Sequence, residues 1–226
     1  MKNLAIICAR NPTDILLSTI IGLNEYYSDF DIVIVDSDSK ETSTYDTIKK
    51  DHPHVNIHFI KNENYEFGAY KAAYKLYPNY DIYMCLQDAI TPLKRFSFED
   101  MLDNNEVYHL PHYSGLMWHE GLDTIESLLR GTEYRETFSH LLKEKTRFSL
   151  TTLNFFVARN SNLKKLIKTL PNLPKDKMGS CSYERILSIC FIKNEWRMIP
   201  LNWSPSRDED ELRGPVYFHK EYFNRQ

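Results

Sequence analysis

Glycine is scarce, at 7 residues in 226. The chain has no G-x-G-x-x-G turn and no P-loop, so the usual dinucleotide and triphosphate cradles are excluded. It has no G-x-S-x-G elbow, which removes that style of serine catalysis. Cys8, Cys85, Cys181 and Cys190 form no C-x-x-C pair. They read as reduced, buried thiols in a cytoplasmic protein. No segment approaches the roughly 20 apolar residues of a membrane span. The apolar run inside MKNLAIICAR is too short for a secretory signal. A basic excess is also missing. The net charge is −3, so no field draws nucleic acid or an anionic membrane to this chain. Repeats, low-complexity tracts and linkers are absent, which reads as one domain over 1–226.

Aromatic residues are plentiful: 15 Tyr, 12 Phe and 3 Trp. They suit stacking on carbohydrate and equally suit a tight core. Apolar runs at Asn3–Ala9, Phe30–Val35, Val55–Ile60 and Tyr80–Leu86 predict strands. Between them, Leu16, Ile20 and Leu23 mark one helix face behind a Thr13 cap. A short helix is expected at Tyr45–Lys50. Another is expected at Phe67–Tyr77, with Ala69, Ala72, Ala73 and Leu76 inward. Strand alternating with helix is the grammar of a parallel sheet, an α/β fold. Ligands of such sheets bind beyond the carboxyl ends of the strands. The segments to watch are therefore Ala9–Thr13, Asp36–Ser39, Asn62–Gly68 and Gln87–Thr91.

The second half is less regular. Asn105–Trp118 shows no period. Helices are expected at Asp123–Arg130, Glu133–Lys143 and Asn160–Leu170, and strands at Leu153–Arg159 and Trp196–Leu201. Pro171–Met178 reads as a loop, followed by a helix over Tyr183–Ile192 begun by Ser182. Glu184 would then lie in a first turn, where the helix dipole favours its anion. Asp176 is the competing carboxylate. Arg207–Arg213 reads as an exposed charged loop. His109, His112 and His119 match no zinc spacing.

Four segments in order, AIICARNPTD, IVIVDSDS, NENYEFGAYKAAY and YDIYMCLQDAITP, resemble the glycosyltransferases of GT-A fold. The likeness is nearest to the inverting family-two type and its small viral and bacterial relatives. LNFFVARNSNLKKL resembles the acceptor-side strand of that family, and CSYERIL stands where it carries a catalytic carboxylate. The resemblance implies a Rossmann-like single domain, mostly parallel, with helices on both faces. Residues 1–100 would hold a nucleotide-sugar, UDP being favoured, and 101–226 a glycan acceptor.

Residue by residue, the resemblance puts Ala9, Arg10, Asp36, Asp38, Tyr65, Gly68, Lys71, Gln87 and Asp88 near the donor. Asp36 would accept a hydrogen bond from base or ribose, and Lys71 would pair with phosphate. Asp88 and His219 would hold a divalent metal, Mn2+ or Mg2+. Glu184 would be the base, and Tyr113, Trp118 and His119 would line the acceptor cleft. One departure stands out: Gln87-Asp88-Ala89 occupies the position of the family's metal-binding D-x-D. Two alternatives remain open. One is a non-catalytic relative that binds carbohydrate or a partner protein. The other is a sugar nucleotidyltransferase, whose Gly-rich opening loop this chain lacks. Oligomeric state is not legible.

Overall fold

A computed structural model describes residues 1–97, 105–112, 121–205 and 215–220. The elements run β1 (Asn3–Ala9), α1 (Asp14–Tyr26), β2 (Phe30–Ser37), α2 (Ser43–Asp51), β3 (Asn56–Ile60), α3 (Tyr65–Leu76) and β4 (Ile82–Gln87). Then come β5 (Ile90–Pro92), β6 (Glu106–His112), α4 (Leu122–Leu129), α5 (Arg135–Lys143), β7 (Leu150–Arg159), α6 (Asn160–Thr169) and α7 (Lys177–Lys193). The chain finishes with β8 (Arg197–Pro200), β9 (Trp203–Pro205) and β10 (Phe218–Lys220).

Seven strands form one sheet in the order β3-β2-β1-β4-β7-β6-β8. The first four run parallel, β7 lies antiparallel to both β4 and β6, and β8 runs parallel to β6. Central strands such as β1 and β4 are buried almost throughout. They therefore read as unbroken apolar runs, not alternations. β5, β10 and β9 make a second, small sheet.

Apolar side chains cover both faces of the large sheet. On one face Phe67, Tyr70, Phe156, Leu187 and Phe191 pack with Tyr183 and Trp196. On the other, Leu16, Ile20, Leu23, Tyr27, Phe155 and Phe218 meet Ile7, Ile34 and Leu86. Each such fully buried side chain contributes about 1.5–3 kcal/mol. None of the four cysteines is in a disulfide.

The expected caps and faces of the first half are present: Thr13 accepts from the Ile15 amide, and Leu16, Ile20 and Leu23 are buried. Helix α3 differs from expectation. Its buried face is Phe67, Gly68, Ala69, Tyr70 and Ala73, while Leu76 is exposed. The larger rings won the core over the terminal leucine. Helix α7 begins at Lys177, not near Tyr183. Its cap is Asp176, whose side chain accepts from the Gly179 amide at 2.7 Å. Gly179 and three small polar neighbours disguise this first part as a loop. Strand β6 was not visible as a period because it is buried on both sides and carries Pro111. There the register with β7 shifts, as a proline inside a sheet requires.

Candidate active site

The carboxyl ends of β1, β2 and β4 converge with β7 and the first turns of α7 on one cleft. Its volume is 530 Å³, within the usual range for a small-molecule site. Cys8, Ala9 and Arg10 at the end of β1, Tyr65 and Glu66 from α3, and Gln87 and Asp88 at the end of β4 line one side. Leu153, Asn154, Lys177, Ser180 and Glu184 line the other, with Lys220 above.

The loops at the strand ends are tied to one another. The Asn11 amide donates to Ser39 Oγ at 2.6 Å, and Asn11 Oδ1 accepts from the Lys40 amide at 2.8 Å. Asn62 donates to Ser37 Oγ at 3.0 Å and to the Tyr65 carbonyl at 2.7 Å. Asn11, Asp38 and Tyr65 all adopt positive φ, at 50°, 62° and 52°. Left-handed backbone at non-glycine residues is costly and collects at functional sites.

The floor is polar. Glu66 Oε1 accepts from Gln87 Nε2 at 2.8 Å, and Glu66 Oε2 accepts from Ser180 Oγ at 2.9 Å and Asn154 Nδ2 at 3.3 Å. Gln87 Oε1 in turn accepts from Lys220 Nζ at 2.8 Å. One amide thus joins an ammonium to a carboxylate.

Strand β7 is bent where it meets this floor. Leu153 and Asn154 sit at φ 59° and 53°, just before pairing with β4 begins at Phe156. The bend turns the Leu153 amide toward Glu184, whose Oε1 accepts from it at 2.9 Å. Glu184 is not in a first turn, because α7 starts at Lys177. The helix N-terminus therefore does not stabilise its anion, and burial sets its environment. Burial raises the Glu184 pKa above its ordinary 4.5, partly opposed by the Leu153 hydrogen bond. A raised carboxylate is a better proton acceptor than a surface one.

The other expected residues divide. Ala9, Arg10, Tyr65, Gln87, Asp88 and Glu184 line the cleft; Asp36, Asp38, Gly68, Lys71 and His219 do not. Asp36 is fully buried and accepts from the Ser39 amide at 2.9 Å, from Ser39 Oγ and from Tyr45 Oη at 2.5 Å. Its carboxylate braces the turn after β2 and does not line the cleft. Burial, and then this bond to Asp36, pushes the Tyr45 pKa well up. Gly68 lets α3 approach its own loop, since a Cβ there would lie 2.3 Å from Asn62 Oδ1. His109 is a core histidine: its Nδ1 donates to the Leu150 carbonyl at 3.1 Å, and burial lowers its pKa to about 4. Tyr113, Trp118 and His119 lie outside the described residues, as does 207–213. Glu66, Asn154, Ser180 and Lys220 were not anticipated.

Among the described residues, those that line the cleft do not fit a divalent metal. The position of the first D-x-D carboxylate is an amide whose oxygen already accepts from an ammonium. His219 alternates with Phe218 and Lys220 on β10, so it faces away from the cleft that Lys220 lines. Among the described residues no group of three His, Cys, Asp or Glu side chains is placed to hold a metal ion.

No protein-family model matches the chain, and neither does any curated protein. Solved structures do match in fold. TarS 1–349 of S. aureus in complex with UDP has a TM-score of 0.57 at 14% identity, covering 97% of this chain and 60% of that one. A mannosyltransferase from Pyrobaculum calidifontis, in complex with GDP-Man and Mn2+, has a TM-score of 0.52 at 11% identity, covering 88% and 54%. The galactosyltransferase LgtC, in complex with donor and acceptor sugar analogues, has a TM-score of 0.50 at 12% identity, covering 96% and 86%. The fold is GT-A. The chain spans less than two thirds of the length of the mannosyltransferase and of the TarS fragment. Within the GT-A frame, the cleft lies beyond the carboxyl ends of the parallel strands, where open α/β sheets bind their ligands. No helix among the described residues is long and apolar enough to cross a membrane.

Proposed function

We propose that the protein is a glycosyltransferase that moves a sugar from a nucleoside-diphosphate donor, a UDP-sugar being favoured, to a hydroxyl of a glycan. The observation that carries this reading is the cleft in which strand-end loops of the GT-A sheet face a partly buried carboxylate of raised pKa. Solved proteins of similar fold hold UDP or GDP-Man, which supports the donor class.

In the reaction, the acceptor oxygen attacks the anomeric carbon from the side opposite the diphosphate. The new bond is carbon to acceptor oxygen. The bond from carbon to diphosphate oxygen breaks, and its electron pair leaves with the diphosphate. Glu184 takes the proton of the attacking hydroxyl, which makes the step a single displacement with inversion. Ala9, Arg10 and Tyr65 border the donor, and Asp88 accepts hydrogen bonds from its hydroxyls. Asp36 and Gly68 act one layer back, Asp36 by bracing the turn after β2 and Gly68 by letting α3 close on its own loop. The cytoplasm, where nucleotide-sugars are made, suits this chemistry.

The test is a panel of UDP- and GDP-sugars with glycan acceptors, read as released nucleoside diphosphate and as the anomeric configuration of the product by NMR. Consumption of a donor with inverted product is expected. A retained configuration would refute the single displacement. If neither UDP nor GDP binds and no donor is consumed, the enzymatic reading is wrong and a binding protein of this fold is favoured.

A further inference from the structure

The C-terminal strand β10 has three residues, yet it is firmly placed. It pairs antiparallel with β5, directly after the Gln87–Asp88 turn, and parallel with β9. Its anchor is Phe218, fully buried, stacked on Tyr27 at 6.2 Å and tilted against Phe155 at 4.8 Å. Two residues on, the same face of the strand presents Lys220. That side chain is 8% exposed, lines the cleft beside Asp88, and donates to Gln87 Oε1 at 2.8 Å. A buried ammonium is expensive unless it faces acceptors or opposite charge. Gln87 Oε1 is one such acceptor. Gln87 turns its oxygen to the ammonium and its nitrogen to Glu66, which fixes the amide in one orientation.

Resting on the donor reading above, we propose that Lys220 is the protein's own cation for the donor diphosphate, and that binding and transfer proceed without a divalent metal. The pair of electrons that departs with the diphosphate oxygen is met by the Lys220 ammonium, a charge that costs no reorganisation when the bond breaks. Gln87 is the matching change: a carboxylate at that position would pair with the ammonium and compete with the diphosphate for it. Arg10 and Lys177 line the same cleft and add positive charge at its rim. This chain thereby departs from the metal-assisted chemistry that its resemblance implies.

The experiment is calorimetric titration of the full chain with UDP, GDP, uridine and guanosine, in EDTA and then in Mn2+. Wild type is expected to bind one diphosphate in EDTA, with an affinity that changes less than about threefold on adding Mn2+. Lys220→Gln removes a charge-assisted bond and is expected to weaken that diphosphate by about 10- to 100-fold, leave its nucleoside unchanged, and gain nothing from Mn2+. Lys220→Arg is expected to retain most of the affinity, which separates charge from shape. Equal weakening of nucleoside and diphosphate in Lys220→Gln would mean a purely structural lysine and overturns the proposal. Diphosphate binding by wild type that appears only with Mn2+ also overturns it, while the donor reading stands. No binding of either diphosphate under any condition sinks both.

Discussion

Replacing Glu184 by Gln tests the chemistry and the electrostatics together. The amide has the shape of the carboxylate, and its oxygen can still accept from the Leu153 amide, now 2.9 Å away. The bend in β7 therefore keeps its partner. What disappears is the base. Positioned general bases contribute about 10²- to 10⁴-fold, or roughly 2.7–5.4 kcal/mol of barrier. Transfer should fall by that factor while UDP or GDP affinity stays within about twofold, because the proton acceptor serves the acceptor side.

The stability effect has a definite sign. Burial raises the folded pKa of Glu184 above the ordinary 4.5. The wild-type group therefore favours the fold fully below its unfolded pKa, and that contribution is lost as pH rises through the folded value. Above that folded value the ionised, partly buried carboxylate is a burden that Gln lacks. The Glu184→Gln melting temperature should match or exceed wild type at pH 7, with the gap closing toward pH 4. By the same shift, the wild-type transfer rate should rise with pH through a value above the ordinary 4.5. The measurements are steady-state release of nucleoside diphosphate and thermal melting from pH 4 to 8. Transfer at the wild-type rate would refute the base assignment. A variant that melts lower at pH 7 and loses its nucleotide would show Glu184 to be only a brace for β7.

Other perturbations follow from the same geometry. Gly68→Ala should lower stability by about 1–3 kcal/mol in urea, the cost of overpacking, because the new Cβ meets Asn62 Oδ1 at 2.3 Å and Asn64 Cβ at 2.6 Å. A more stable variant would mean the loop yields freely. Tyr45→Phe removes the donor lying 2.5 Å from buried Asp36 and should cost about 1–3 kcal/mol by denaturant titration; an unchanged midpoint would mean that water replaces the hydroxyl. His109 is held neutral by burial, from 6.5 down to about 4. Its contribution is present above 6.5 and lost as pH falls toward 4, about 3 kcal/mol in all. His109→Asn should flatten the stability profile over that interval, and identical slopes in the two proteins would refute the assignment.

Much of the first half could be read locally. The apolar runs of β1, β2 and β4, the Thr13 cap and the face of α1 all follow from propensity and period within a dozen residues. They place Ala9, Arg10, Tyr65, Gln87 and Asp88 at strand ends, where α/β sheets bind ligands, and those residues do line the cleft. Asp36 shares that address but turns inward to Ser39 and Tyr45, and nothing in the run Asp-Ser-Asp-Ser reveals which way the carboxylate faces. The start of α7 was hidden because Gly179 and Ser180 read as turn residues. In the fold, Gly179 packs against Pro174 and its amide is held by Asp176.

The sequence by itself determined the layered α/β frame and the edge at which the cleft opens, because helix and strand periods are properties of neighbouring residues. Only the tertiary structure decided what chemistry stands at that edge. Lys220 reaches Gln87 across 133 residues of chain, and the alternation of a three-residue strand turns the lysine inward and the adjacent His219 away. Glu66 and Glu184 come from different halves of the chain to opposite sides of the same cavity. Such pairings depend on how distant segments pack around a common core, and no local pattern records them.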